Sequence, residues 1–231
     1  MRTLFFFVLI LTVIKAQEYR ISIFGVDVCI VHQNLKMEEG NITFSTENIG
    51  ITSILWPAKN FYNSEYDSST FNLIKWSKNI SQGTFKQKTS GNFIDSIGTI
   101  EYNKKMIPVL DNTKNIFSLL AMVQTKEHSY LDTKWFNFEH EGSTGKARFV
   151  WSDSVTIEHN NKKEICDHYR LDVAIDTEYK LYEKSDYFLG EILSPGMVKQ
   201  LWVSRKNPKK IIKATFKTMG IPLKAIIYEQ N

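Results

Sequence analysis

Five histidines, His32, His128, His140, His159 and His168, are the most versatile side chains in this sequence, and two with carboxylate neighbours stand out as candidate ligands. His140 lies between Glu139 and Glu141, and His168 follows Asp167. Imidazole and carboxylate together bind zinc or move protons. The spacing supports neither. No two histidines are four apart as in His-Glu-x-x-His, and no Cys/His zinc pattern occurs. Positions 140, 159 and 168 would meet only across neighbouring hairpins, so surface or turn histidines are expected and no metal site.

Serine nucleophiles fare no better. Ser143 stands in Gly-Ser-Thr-Gly and Ser194 in Leu-Ser-Pro-Gly, which read as turns rather than as a Gly-x-Ser-x-Gly elbow. Glu38 and Glu39 are adjacent, so an extended chain sends them to opposite faces, where they cannot flank one glycosidic bond. There is no Gly-rich phosphate loop and no cofactor motif. A non-enzymatic protein is therefore expected, with a hydrolase as the minor alternative.

Apolar chemistry is better supplied. Trp56, Trp76, Trp135, Trp151 and Trp202 are spread along the chain, and aromatics make up 13% of it. Inside a β-barrel such rings either line a cavity for an apolar, lipid-like ligand or fill it. Cys29 and Cys166 are the only cysteines. They read as a candidate disulfide if their strands are neighbours, or as two buried free thiols.

The elements that must position these residues are mostly strands, because period-two alternation dominates. Tyr19, Ile21 and Ile23 alternate with Arg20 and Ser22; after Gly25 the pattern resumes at Val26, Val28 and Ile30, which reads as one long strand bent at a bulge. A second strand runs from Ile42 to Ile54-Leu55-Trp56, where Pro57 stops it. Short strands follow around 61–62, 71–76, 84–89 and 97–102. Others are expected at 135–138, 147–151, 155–158, 163–166, 169–175, 179–183, 197–204, 211–218 and 223–228. Glu141–Gly145 and Asn160-Asn161 supply hairpin turns. Only 111–123 reads as a helix, with Ile116, Leu119, Leu120 and Val123 as one stripe and Asp111 to Thr113 as caps. The expected fold is all-β: one domain, an antiparallel barrel or sandwich, closed or half-open, with more than ten strands and one short helix.

Residues 1–16 describe a secretory signal peptide. Arg2 precedes the apolar run Leu4–Leu11, and the small residue Ala16 precedes polar Gln17. Cleavage there predicts an exported domain over 17–231, periplasmic or secreted, with no segment long and apolar enough to span a bilayer. The net charge is +4, and removing Arg2 and Lys15 leaves +2, too balanced for a nucleic-acid partner. Basic residues cluster only between Lys199 and Lys217, around a turn at Asn207-Pro208. The sequons Asn41-Ile42-Thr43 and Asn79-Ile80-Ser81 occur at about the chance frequency.

The order of these features resembles the exported bacterial proteins of domain of unknown function 3108. The likeness is carried by Tyr19-Arg20-Ile21-Ser22-Ile23-Phe24-Gly25, by the hairpin Tyr62–Thr70 and its sequel Ile80–Phe85, by Ile107–Asp111 with Ser118-Leu119-Leu120, and by Leu201–Ser204 with Lys210-Ile211-Ile212 and Gly220. It implies a β-rich envelope protein without assigned activity and supplies no functional residues. The expected role is to hold an apolar or lipid-like ligand, or an envelope protein partner. A structural or protein-binding module with a filled core is the alternative.

Overall fold

Residues 16–103, 105–179, 181, 186, 190, 194, 197–218 and 221–229 are described by the structure, a computed structural model. The segment expected to be a signal peptide, apart from Ala16, and most of the strand expected at 179–183 lie outside them. The first arm of the chain folds as β1 (Gln17–Ile23), β2 (Val26–Lys36), β3 (Asn41–Asn48), β4 (Ala58–Tyr66), β5 (Leu73–Gln82), β6 (Phe85–Ile94), β7 (Thr99–Tyr102) and β8 (Lys105–Pro108). The second arm is β9 (Trp135–His140), β10 (Ser143–His159), β11 (Lys162–Glu178), β12 (Lys199–Ser204), β13 (Ile211–Thr218) and β14 (Ile221–Tyr228). Short helices α1 (Gly50–Leu55), α2 (Ile116–Val123) and α3 (His128–Leu131), with a 3-10 turn at Asp95–Ile97, complete the described elements.

Each arm is an antiparallel meander, and one pairing joins them. β1 pairs with β14 from Glu18 opposite Tyr228 to Ile23 opposite Leu223, giving a single 14-stranded sheet whose edges are β8 and β9. Those edges do not pair with each other, so the sheet is barrel-like but not closed. An extended strap partly spans the gap. Leu73 N donates to Thr113 O at 2.9 Å, Lys114 N to Asn137 O at 2.9 Å, and Glu139 N to Lys114 O at 3.0 Å. The strap therefore bonds to both β5 and β9.

Where the strap ends, α2 begins. Asn115 Oδ1 accepts from Ser118 N at 2.8 Å, and Ser118 Oγ accepts from Asn115 N at 3.1 Å, a reciprocal cap. The expected caps at 111–113 are displaced because Asp111 and Asn112 form a turn, with Asn112 at a φ of 58°, and Lys114 is then bridged to β9 before the helix starts. Seven of the eight α2 residues are buried, all but Leu120. A helix buried on every side is a plug rather than a lid. Phe117 shows this: its ring lies 5.5 Å from Phe44, 5.3 Å from Tyr62 and 5.8 Å from His140.

Three expectations about chain path are corrected. Phe24-Gly25 is a two-residue hairpin turn, not a bulge: Ile23 faces Val26, and both turn residues have positive φ, 48° and 84°. The bulge lies one step inside, between Ile21 and Ser22. The segment before Pro57 is α1, not strand; Ile49 N bonds to Val28 O at 3.0 Å and turns the chain off β3. The pairs of strands expected between 147 and 175 merge into β10 and β11, 17 residues each, because a bulge at Trp151/Asp153 absorbs the phase change between them.

If α2 is the plug, Phe117→Ala should lower unfolding stability by about 3–5 kcal/mol. Chemical denaturation checks this; a loss below about 1 kcal/mol would show that the sheet holds without it.

Candidate functional site

Strand ends alternate in a meander, so the β1–β2 turn, α1, the β5–β6 turn and the start of β12 all lie at one end of the sheet. At that end the inner face is apolar and only partly covered. Register places Ile23, Leu223, Phe216, Lys199 and Leu171 in one row across β1, β14, β13, β12 and β11. The next row inward is Ile21, Ala225, Ala214, Leu201 and Tyr169, with Cys29 opposite Ile21 on β2. Ile21, Ile23, Ala225, Ala214, Phe216 and Cys29 are half-buried, whereas Tyr19 and Ile227, one row deeper, are buried. The inner wall is thus half-covered at this end along β1, β13 and Ala225 of β14, while Leu223, Lys199, Leu171, Leu201 and Tyr169 of the same rows are buried.

The rim of the mouth is apolar too. Phe24 is 78% exposed and Ile54 79%, and Val26, Ile51, Leu55 and Trp56 are also exposed. α1 contains three of these residues and buries none of its own. It is nonetheless held in place: Thr52 Oγ1 donates to Val28 O at 2.7 Å, and Gly83 N to Pro57 O at 2.7 Å. Phenylalanine at a φ of 48° is a disfavoured choice for a turn tip. Contiguous exposed apolar surface of this kind marks an interaction site.

Away from this wall the interior turns polar and closed. The buried ammonium of Lys78 sits between Glu141 and Asp186, with Asp186 at 2.8 Å, and Tyr62 Oη donates to Asp186 at 3.0 Å. Asp186 comes from the connection between β11 and β12, so the knot ties that connection to β4 and β5. A second chain runs from Trp76 Nε1 to Tyr102 Oη at 2.7 Å, and from that hydroxyl to Glu139 at 2.7 Å. Gly142 N also donates to Glu139, at 2.7 Å. Burial pushes the Glu139 carboxyl up to about 7, against those two hydrogen bonds. Burial, with Lys78 nearby, lowers His140 to about 3, so its imidazole is neutral. These groups have the types for acid–base chemistry, but every one is sealed from solvent. Their role is to hold the plug, β9 and the Glu141-Gly142 turn together.

The predicted candidates do not converge. Trp56 is on the rim and Trp76 in the core, 4.7 Å from the His140 ring. Trp135 lies on the outer face under Arg148, and Trp202 is buried on that face between His168 at 4.4 Å and Lys213 at 4.0 Å. Trp151 Nε1 bonds to Asp167 at 3.1 Å. His140 and His159 stand at opposite ends of the β9–β10 hairpin, and no group of metal-ligating side chains occurs among the described residues. Cys29 and Cys166 are free thiols on strands that β1, β14, β13 and β12 separate, so the candidate disulfide does not form; burial raises them to about 11 and about 12. The basic cluster disperses as well: Lys209 pairs with Glu127 and Lys210 with Glu229, while Lys199 faces inward. On the outer face, an open depression of about 290 Å³ beside His32, Phe61 and Asn79 mixes charged and apolar walls.

Sequence reasoning missed Lys78, and it read Lys199 as part of a basic cluster rather than as an inward-facing residue. The signal was there: each occupies the apolar parity of its strand, Trp76-x-Lys78-x-Ile80 and Lys199-x-Leu201-x-Val203.

The fold has known counterparts. A β-barrel-like protein of domain of unknown function 1849 from Brucella abortus superposes with a TM-score of 0.57 at 8% identity, covering 93% of this chain and 95% of that one. A protein of the domain of unknown function 1089 family from Pseudomonas aeruginosa gives a TM-score of 0.40 at 11% identity, over 70% of this chain and 94% of that one. No family model matches the chain, and no curated protein matches it. The chain thus shares a barrel-like fold with a domain whose role is itself unknown.

The folded protein keeps the Glu139 proton up to about pH 7, while the unfolded chain releases it near 4.5. Stability should therefore fall as pH rises between those values, by an amount on the order of 3 kcal/mol from this group. Denaturation midpoints at pH 5 and pH 8 should differ less in Glu139→Gln than in the native sequence. An unchanged pH response would mean that Glu139 ionises without cost.

Proposed function

We propose that the chain is an exported, non-enzymatic envelope protein that holds an apolar, lipid-like ligand at the open end of its barrel-like sheet. The observation that carries this reading is the mouth: an inner apolar wall left half-uncovered, ringed by exposed apolar side chains. A protein with only a filled core has no use for such a rim. The apolar leader before Gln17 supports export. The motifs quoted above keep domain of unknown function 3108 as the family we propose, and exported proteins without assigned activity fit the same role.

A second reading keeps the same rim and gives it a protein partner. The plugged and knotted part of the interior favours it, since that part has no room for a ligand. The two readings differ at the inner wall, which only a ligand-holding protein needs to leave open.

Native mass spectrometry of residues 17–231, exported and purified without detergent, should show a co-purifying mass of lipid size. The apolar fluorophore N-phenyl-1-naphthylamine should bind the delipidated protein. Ala225→Trp, which fills the wall, should weaken that binding at least about tenfold, whereas Phe61→Ser on the outer face should leave it unchanged. A clean mass together with no fluorophore binding would exclude the ligand role and leave the rim to a protein partner.

A further inference from the structure

Lys199 does not suit its surroundings. It opens β12 on the inner face of the mouth, opposite Leu171 on one side and Phe216 on the other, in the row that ends at Ile23. Its neighbour Gln200 points the other way, with Arg170 and Thr215, toward the outer face. The Lys199 side chain is 7% exposed. An ammonium carries three donors, and among the described residues Lys199 uses one, to the Met197 carbonyl at 3.2 Å.

The other deeply buried lysines of the mouth end and the strap are satisfied. Lys78 lies between two carboxylates, and Lys114 bonds to Asn72 Oδ1 at 2.9 Å and to Asn112 O at 3.0 Å. Lys209, at the far end, pairs with Glu127 at 2.8 Å. Lys199 forms no ion pair among the described residues. The nearest acidic influence is Asp172, which is already engaged by Arg148 and Arg170. A buried cation is normally paired and hydrogen-bonded. Here the missing partner would lie in the mouth itself. Burial lowers the Lys199 pKa, as expected for a cation held without its anion.

We infer that the mouth takes a single-chain amphiphile with a carboxylate head, its carboxylate on Lys199 and its chain along Phe216, Ala214, Ala225 and Ile21. The inference rests on the reading of the mouth as a ligand site. One ammonium balances one carboxylate, and two oxygens match the two donors left over. A phosphate head, with more oxygens and up to two charges, would call for a second cation, and no other residue of the two mouth rows is basic. From β12 to β1 is three strand spacings, roughly 14 Å, enough wall for a medium-length acyl chain lying across the strands.

Calorimetric titration of residues 17–231 with dodecanoate and with dodecanol tests this. The native sequence should prefer dodecanoate at least about tenfold. Lys199→Met should remove the preference while dodecanol still binds, and Lys199→Arg should retain it. Should Lys199→Met not fold, the native protein supplies the readout: the dodecanoate preference should vanish as pH rises through the lysine's titration, with dodecanol unaffected. Equal preference in Lys199→Met, or tighter binding of dodecyl phosphate than of dodecanoate, would overturn the assignment. Dodecanol binding without any carboxylate preference would also overturn it and leave the ligand-holding role standing. Binding of neither compound would sink both.

Discussion

The pairing of β1 with β14 is the constraint on which the rest depends. Every other strand pair joins consecutive strands, whose contacts are local in sequence. This one joins residues about two hundred positions apart, Glu18 to Tyr228 and Ile23 to Leu223. Without it the chain would be two separate meanders, each with an extra raw edge, and unpaired edges invite association with other chains. Ordering so long a loop carries an entropic cost that grows only logarithmically with length. The six opposed residue pairs of the seam, with Tyr19 and Ile227 buried among them, offset it. The seam also builds the mouth, since the inner wall runs through β1, β14 and β13.

The interior has two regimes with different physics. Around α2 it is filled, and most polar groups there have been given a partner: Ser64 with Asn115, Gln33 with Gln124, Tyr102 with Glu139, Lys78 with its carboxylates; the ring nitrogens of His140 are an exception among the described residues. In a low-dielectric interior such a network either satisfies its members or destabilises the core, so its geometry is narrowly specified. It holds the plug in one orientation. Toward the mouth, the same inner face loses both the polar partners and the cover. Lys199 marks the boundary, a buried charge that forms no ion pair among the described residues and bonds to the Met197 carbonyl. The difference between Lys78 and Lys199, both inward and both buried, is therefore the difference between a charge answered by carboxylates and one answered by a single carbonyl.

Much of the architecture was legible because strand alternation records which face is wet. Strand existence, the Asn160-Asn161 turn, the single buried helix and the all-β class followed from local pattern. The path errors share one cause. Phe24-Gly25 as a bulge and as a turn have the same flanking alternation, and only the partner strand tells them apart. The segment Ile51–Trp56 is apolar enough for a strand, and it coils because Val28 captures Ile49 and Thr52. The candidate site was less legible. The tryptophans drew attention by size, yet they scatter over core, rim and outer face; the informative residues were two lysines at apolar parity.

By itself, then, the sequence determined the fold class and the number and character of most strands. These depend on neighbours a few residues apart, where side-chain periodicity acts. Only the tertiary structure decided that the termini pair in mid-sheet, that the cysteines stay apart, that α2 is a plug and that Lys199 faces an apolar mouth. Each of those depends on which distant strand lies alongside, and strand partnership is set by the combined burial of both faces rather than by either strand's own pattern.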